Sequence, residues 1–293
     1  MSKRLIGNAL LTLAAFIWGT AFVAQSMGMD YLEPFTFNSI RSVIGGLALL
    51  PVITIMRRGR APHTPAVKRN TWVGGLLCGV ILFFASSFQQ IGIQFTTVGK
   101  ASFITTLYIV LVPLVGLFLG KRVKPMLWVA VALAAAGLFL LCFASAGEGF
   151  TIQMGDLLIL CCAFLFTAHI LVIDHFSPRV DCVQMACMQF FVAGGLGLVC
   201  MVLFEHPELS MILSCWAPIL YAGLLSSGVA YTLQIVGQRN TNPTVASLIF
   251  SLEAVFGSLA GWLLLGERFT SREFAGAALM FTAILLAQLP GRK

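Results

Sequence analysis

The chain has 293 residues and a formal net charge of +7, is 59% hydrophobic and only 10% charged, and has a mean hydropathy of +0.95. So little charge cannot cover a soluble domain, so a soluble globular fold is excluded and lipid must solvate most of the surface. The positive excess would suggest nucleic acid in a soluble protein, but its placement along this chain assigns it a different role.

Apolar windows long enough to span a bilayer recur at 5–25, 35–57, 72–93, 98–119, 125–144, 155–174, 182–203, 213–236, 243–265 and 273–290. They predict ten transmembrane helices, five in each half. The runs are continuous rather than alternating, so the strands of a membrane barrel are not expected. The first window, Lys3-Arg4 followed by Leu5 to Phe22, has the form of a signal peptide. That reading is rejected because the same segment recurs at 155–174, where nothing could be cleaved. The longest connection, Arg57 to Thr71, is short, basic and proline-containing, so no loop can hold a soluble domain. The cysteines at 78, 142, 161, 162, 182, 187, 200 and 215 lie in or beside the windows without paired spacing. They read as small apolar fillers rather than a disulfide framework or a zinc site.

The second half repeats the first. Gly7, Asn8, Trp18, Gly19 and Arg41 stand 148 positions before Gly155, Asp156, Phe166, Thr167 and Gln189. Gln89, Gly92, Ala101 and Ser102 stand 145 positions before Gln234, Gly237, Ala246 and Ser247. Each half ends in a similar run, Leu119-Gly120-Lys121-Arg122 and Leu265-Gly266-Glu267-Arg268. The expected units are therefore residues 1–147 and 148–293. An odd number of spans per unit makes the second copy enter from the opposite side, giving inverted repeats related by a pseudo-two-fold axis in the membrane plane.

Charge sets the orientation. With the N-terminus in the cytoplasm, Lys3, Arg4, Arg57, Arg58, Arg60, Lys68, Arg69, Lys121, Arg122, Lys124, Arg179, Arg239, Arg292 and Lys293 all fall inside. Only Lys100, Arg268 and Arg272 fall outside, and Arg41 lies within a span. Fourteen cations against three is a strong positive-inside bias, and it places both termini in the cytoplasm.

Polar residues inside the spans are the candidate site. Glu253 lies in the ninth window, where a carboxylate costs about 3 kcal/mol on insertion scales. It reads either as a proton- or substrate-coupling group facing a cavity or as a buried carboxylate tying helices together. Arg41 either snorkels outward or binds a substrate carboxylate bidentately, and its repeat partner Gln189 can also hydrogen-bond in a cavity. His169, whose repeat partner is Ala21, is either a neutral hydrogen-bonded core residue or a proton relay. Trp18 with Thr20, and Phe164 and Phe166 opposite, would line one pseudo-symmetric place, unless Trp18 is an interfacial anchor. Gln89 and Gln234 are repeat-equivalent amides; Gln90, Asn38, Thr105, Thr106, Tyr108 and Tyr231 add further uncharged groups. Some must be interhelical glue, but their number favours an interior that can hydrate and bind an organic solute.

At this point the chain resembles the drug/metabolite transporter superfamily, and within it the EamA-like family, over nearly its whole length. The resembling motifs are Phe16-Ile17-Trp18-Gly19-Thr20-Ala21-Phe22, Pro34 with Arg41, Gln89-Gln90-Ile91-Gly92, and Gly99 to Tyr108 leading to Pro113. In the second half they are Asn242-Pro243, Ser251 to Phe256, and Leu265 to Arg268. Two positions depart from the pattern: Ala254 stands where the family often has proline, and Phe166 replaces the tryptophan expected by repeat with Trp18. The resemblance implies an exporter of small metabolites, amino acids or amphipathic drugs in a bacterial inner membrane.

The combined expectation is an all-α polytopic membrane protein working as a secondary transporter by alternating access, with proton coupling at Glu253. The first four helices of each half surround the cavity, and the fifth and tenth pack at the periphery. The expected solute contacts are Trp18, Thr20, Asn38, Arg41, Gln89, Tyr108, His169, Gln189, Tyr231, Gln234 and Glu253. The expected partners are a small-molecule solute and the bilayer, with no cofactor, metal or nucleic acid. An intramembrane enzyme would need Gly-x-Ser-x-Gly with histidine, or His-Glu-x-x-His, and neither occurs. No Gly-x-x-x-x-Gly-Lys-[Ser/Thr] run is present, so ATP is not expected to drive it. A non-transporting sensor or lipid scramblase is the other alternative.

Overall fold

A computed structural model describes residues 3–58, 63–95, 98–143, 153–265 and 270–288. The expectations for Arg60, the run Gly266-Glu267-Arg268, Arg292, Lys293, and the side chains of Lys100 and Cys142 lie outside the described residues. Among the described residues there is no strand. In chain order the helices are α1 (Lys3–Met29), α2 (Pro34–Arg57), α3 (Pro65–Ile93), α4 (Val98–Thr106), α5 (Tyr108–Phe118), α6 (Pro125–Phe143) and α7 (Met154–Phe176). There follow α8 (Cys182–Phe204), α9 (Leu209–Ser214), α10 (Trp216–Leu220), a π-helical segment (Tyr221–Tyr231), α11 (Thr232–Gln238), α12 (Pro243–Phe250), α13 (Leu252–Leu265) and α14 (Ser271–Gln288). Eight helical stretches are long and apolar enough to cross a membrane, and Pro125–Leu141 is a shorter apolar helix. The protein is a polytopic all-α membrane protein.

Local chemistry explains where helices start and break. Proline occupies the first turn of α2, α3 and α12, where its missing N–H costs nothing. Side-chain oxygens of Thr64, Asp181 and Asn242 accept from the first free backbone N–H groups of α3, α8 and α12. α3 therefore begins at Pro65, shortening the connection expected to run to Thr71. The expectation missed this because Lys68 and Arg69 lower the apolar average of the first turns without opposing helix.

Two spans are discontinuous, one in each half. The chain breaks at Leu107 between α4 and α5 and at Ser251 between α12 and α13. Just before the first break Thr106 Oγ1 donates to the Ser102 carbonyl at 2.7 Å; at the second, Ser251 Oγ donates to the Leu248 carbonyl at 2.7 Å. Such back-bonding competes with the helical ladder and bends helices. The two hydroxyl residues stand 145 positions apart, the offset of the second part of the repeat.

The packing pairs elements across the halves. α2 lies along α8 and α6 along α14; α3 packs on α7 and α8, while α1 packs on α13, the π-helical segment and α11. Close approach uses glycine. A methyl placed on Gly46 would meet the Phe191 ring at 3.3 Å, and one on Gly194 would meet Val43 at 2.9 Å. Gly46 and Val43 stand 148 positions before Gly194 and Phe191, so this crossing maps onto itself when the halves are exchanged. Likewise the Gly7 and Gly237 backbones meet, as do those of their repeat equivalents Gly155 and Gly92. Small residues that let backbones touch are the usual source of helix association in lipid.

One polar tie across the halves is not repeated. Glu205, buried beyond the end of α8, accepts from Phe35 N at 2.7 Å, Thr36 N at 2.6 Å and Thr36 Oγ1 at 2.7 Å. A carboxylate there satisfies the free N–H groups of α2 and complements the positive end of its dipole. At the opposite end of the bundle the equivalent first turn, that of α8, is capped by its own neighbour, with Gln184 N donating to Asp181 Oδ1 at 3.0 Å. Hydrogen bonds to a charged group are worth about 1.5–3 kcal/mol. Glu205→Ala is therefore expected to lower stability by about 2 kcal/mol, read as a fall of several degrees in the melting temperature in detergent. An unchanged melting temperature would contradict the latch.

Candidate functional site

The helix breaks place two polar side chains together at the centre of the bundle. Tyr108 opens α5 and Glu253 lies in the first turn of α13. The Tyr108 hydroxyl donates to Glu253 Oε1 at 2.8 Å, and both residues are buried. They are 145 positions apart, so the bond joins two positions related by the offset of the second part of the repeat. No cation among the described residues pairs with Glu253; the described ion pairs are His63–Asp181 and Lys121–Asp174.

Around this bond lies a cavity of about 50 Å³, room for a few waters. It is lined by Trp18, Phe22, Gln25, Arg41, Gln89, Thr105, Tyr108, Phe166, His169, Ile170, Ser226, Tyr231, Gln234, Phe250 and Glu253. Ten of these fall into repeat-equivalent pairs: Trp18 with Phe166 and Phe22 with Ile170 at the offset of 148, and Gln89 with Gln234, Thr105 with Phe250 and Tyr108 with Glu253 at 145. Gln25, Arg41, His169, Ser226 and Tyr231 have no lining counterpart. The cavity is thus assembled by both halves and decorated unequally.

Its walls are held by aromatic packing. Tyr231 stands edge-on to Trp18 at 4.8 Å, to Phe190 at 5.5 Å and to His169 at 5.8 Å, and Trp18 meets Phe250 at 5.3 Å. Such pairs favour one arrangement by about 0.5–1.5 kcal/mol each beyond their burial. Trp18 Nε1 donates to the Ser226 carbonyl in the π-helical segment at 3.3 Å, so Trp18 is a cavity wall rather than an interfacial anchor. His169 Nε2 faces Gln189 Oε1 at 3.1 Å; that oxygen can only accept, so Nε2 carries the proton and Nδ1 is a bare acceptor. Nδ1 is buried with no hydrogen-bond partner among the described residues.

Of the residues expected to contact solute, Trp18, Arg41, Gln89, Tyr108, His169, Tyr231, Gln234 and Glu253 line this cavity. Three do not. Thr20 turns its hydroxyl to the Phe16 and Ile17 carbonyls and to Tyr221, Asn38 donates to the Ser86 carbonyl at 3.0 Å, and Gln189 stands behind His169. Phe164 is 52% exposed and faces outward, away from the place expected for it beside Phe166. Phe22, Gln25, Ile170, Ser226 and Phe250 were not anticipated as contacts. The repeat offsets could have found Ile170 from Phe22 and Phe250 from Thr105; nothing in the sequence singles out Gln25 or Ser226.

Comparison with known proteins agrees with this architecture. Residues 5–143 and again 153–289 match the EamA-like transporter family. An uncharacterized transporter of Archaeoglobus fulgidus is 31% identical over 288 residues, covering 98% of this chain and 87% of its own. The uncharacterized transporter YwfM of Bacillus subtilis is 26% identical over 298 residues, covering 99% and 96%. The WAT1-related protein At3g02690 of Arabidopsis thaliana, a chloroplastic protein, is 27% identical over 289 residues, covering 94% and 67%. A crystal structure with 19% sequence identity superposes with a TM-score of 0.80 over 96% of each chain, a likeness of fold alone.

The Tyr108–Glu253 bond is expected to carry a measurable coupling. Tyr108→Phe leaves the carboxylate without its donor, at a cost of about 1–3 kcal/mol. In a double-mutant cycle with Glu253→Gln, unfolding in detergent should give a coupling energy of about 1 kcal/mol or more. Strict additivity would show that the two side chains meet without interacting.

Proposed function

The chain belongs to the EamA-like transporter family and is a multi-pass membrane transporter rather than an enzyme, and we propose that it moves a small organic solute by alternating access, with Glu253 carrying a coupling proton. The working unit is a pair of inverted five-helix repeats, residues 1–147 and 148–293, making ten spans in the inner membrane with both termini in the cytoplasm. The direction of transport is outward, and the solutes are small metabolites, amino acids or amphipathic drugs.

The observation that carries this reading is the cavity built from repeat-equivalent residues around the Tyr108–Glu253 bond. Inverted-repeat transporters bind at the repeat interface, near the bilayer midplane, beside discontinuous helices. Here the breaks at Leu107 and Ser251 and the self-mapping α2–α8 crossing support the same arrangement. Exchange of the halves also turns the α3–α7 contact into the packing of α1 on the π-helical segment and α11. Two equivalent halves that rock about a shared axis expose one site alternately to each side.

The end of the bundle that carries Lys3, Arg179 and Arg239 holds a vestibule of about 770 Å³, whereas beyond the other end of α8 Glu205 ties that helix to the first turn of α2. That asymmetry is what an inward-facing state of the cycle requires. The central cavity is too small here for a metabolite, so solute entry needs the walls to part.

Glu253 has the properties of a proton carrier in such a cycle. It faces the cavity, its one described partner is a neutral phenol, and no cation fixes its charge. A carboxylate that binds and releases a proton as the halves rock would couple solute movement to the gradient. Glu253→Gln keeps the shape and removes the exchangeable proton. In pyranine-loaded proteoliposomes challenged with amino acids and amphipathic cations, solute-dependent proton movement should fall to the liposome background while the protein still elutes as a folded species. Wild-type proton flux in that variant would remove Glu253 from the mechanism.

A further inference from the structure

Three features outside the Tyr108–Glu253 bond converge on the chemistry of the solute. Arg41 is buried in α2, only 6% exposed, and lines the cavity. Its Nε has no hydrogen-bond partner among the described residues, and no carboxylate among them pairs with it. Its described neighbours include the Phe37 ring, 5.9 Å from the guanidinium carbon and one turn back on the same helix, and the Tyr231 phenol, which shares the cavity wall and interacts with it electrostatically. A guanidinium left in this state inside a membrane protein has donors in fixed fork geometry and no carboxylate among the described residues to receive them. The expectation that it snorkels to the interface does not fit a side chain that lines the central cavity.

Second, the repeat makes the cation one-sided. Equivalent positions in the other copy hold Gln189, occupied by His169, so the cavity carries a fixed positive group on the α2 side and a neutral imidazole–amide pair on the other. Glu253 lines the same cavity with Oε1 bonded to Tyr108, and it makes no ion pair with Arg41 among the described residues. Third, the vestibule is lined by Lys3, Arg179, Arg239 and His63, and its one acid, Asp181, is held by His63 Nε2 at 2.8 Å. An excess of cations in such a vestibule concentrates anionic solutes at that end of the bundle.

We propose that the transported solute bears a carboxylate, and that Arg41 is the specificity-determining residue that binds it. The proposal rests on the transport reading above and narrows it. The carboxylate occupies the fork of Arg41, and the apolar body lies against Trp18, Phe22, Phe166 and Phe250. The bare Nδ1 of His169 accepts from any N–H or O–H group the body carries. Amides and amines of the same skeleton are rejected because they leave a buried guanidinium unpaired.

The test uses the purified full-length protein and three probes with one skeleton: 3-phenylpropionate, 3-phenylpropionamide and 3-phenylpropylamine. Melting temperature in detergent is followed as each is titrated to millimolar concentration. The acid alone should raise it, and Arg41→Gln should weaken that response roughly tenfold or more. Arg41→Lys should keep part of it, because the charge remains and the fork is lost. Equal responses to the amide or the amine overturn the proposal. So does an acid response that survives in Arg41→Gln, or a wild-type protein that responds to none of the three. If Arg41→Gln does not fold, the acid-over-amide preference of the wild type decides alone. Each of these failures leaves the transport reading to the Glu253 proton-flux experiment, which does not involve Arg41.

Discussion

Within hydrocarbon a polar group must be satisfied by the protein or by water that the protein encloses, because lipid offers it nothing. That constraint organises this molecule. Charged side chains gather at the ends of the bundle, and Arg41 and Glu253, both buried, line the central cavity between the two halves. Some polar side chains of the interior back-bond a helix, as Thr106 and Ser251 do, and others meet across the halves, as Tyr108 and Glu253 do. With no hydrophobic drive between helices in lipid, the contacts that hold this arrangement are glycine crossings and packed aromatic edges. The same constraint supports the proposal that the centre binds solute, since Arg41 Nε and His169 Nδ1 are buried there without a hydrogen-bond partner among the described residues.

Duplication then supplies the geometry, and divergence supplies the chemistry. Repeat-equivalent residues form most of the cavity wall, yet equivalence of position is not equivalence of type. Tyr108 faces Glu253, so one copy supplies a donor and the other an acceptor. Arg41 stands against Gln189, and Ala21 against His169, so the cation belongs to one side and the imidazole–amide pair to the other. The Glu205 latch is likewise one-sided.

The apolar helices and the repeat offsets were legible in the sequence, because continuous apolar runs and matched motifs survive averaging over a window; of the ten spans expected, eight stretches among the described residues are long and apolar enough to cross a membrane. The inward-facing side of each helix was not. In lipid a helix is apolar all round, so periodicity does not say whether Phe164 or Phe166 points inward, or that Thr20 would bond its own carbonyls. The breaks at Leu107 and Ser251 were hidden because neither glycine nor proline marks them; serine and threonine hydroxyls act there through geometry that only the fold reveals. Glu205 lies between two apolar windows, where nothing marks it for burial, and its burial against α2 depends on a partner 169 residues away. The family resemblance included Arg41 among its motifs without saying whether it snorkels or faces the cavity, and the fold places it in the cavity wall.

The central claim is that two inverted halves rock about the axis through the cavity. Double electron–electron resonance on a cysteine-depleted protein tests it directly, with one nitroxide pair at Tyr31 and Leu209 and a second pair at Arg58 and Arg179 in the opposite end loops. Two populations should appear at each end and shift in opposite senses when pH or solute is changed, one end closing as the other opens. Distances that move together, or a single unchanging population at both ends, would contradict the account.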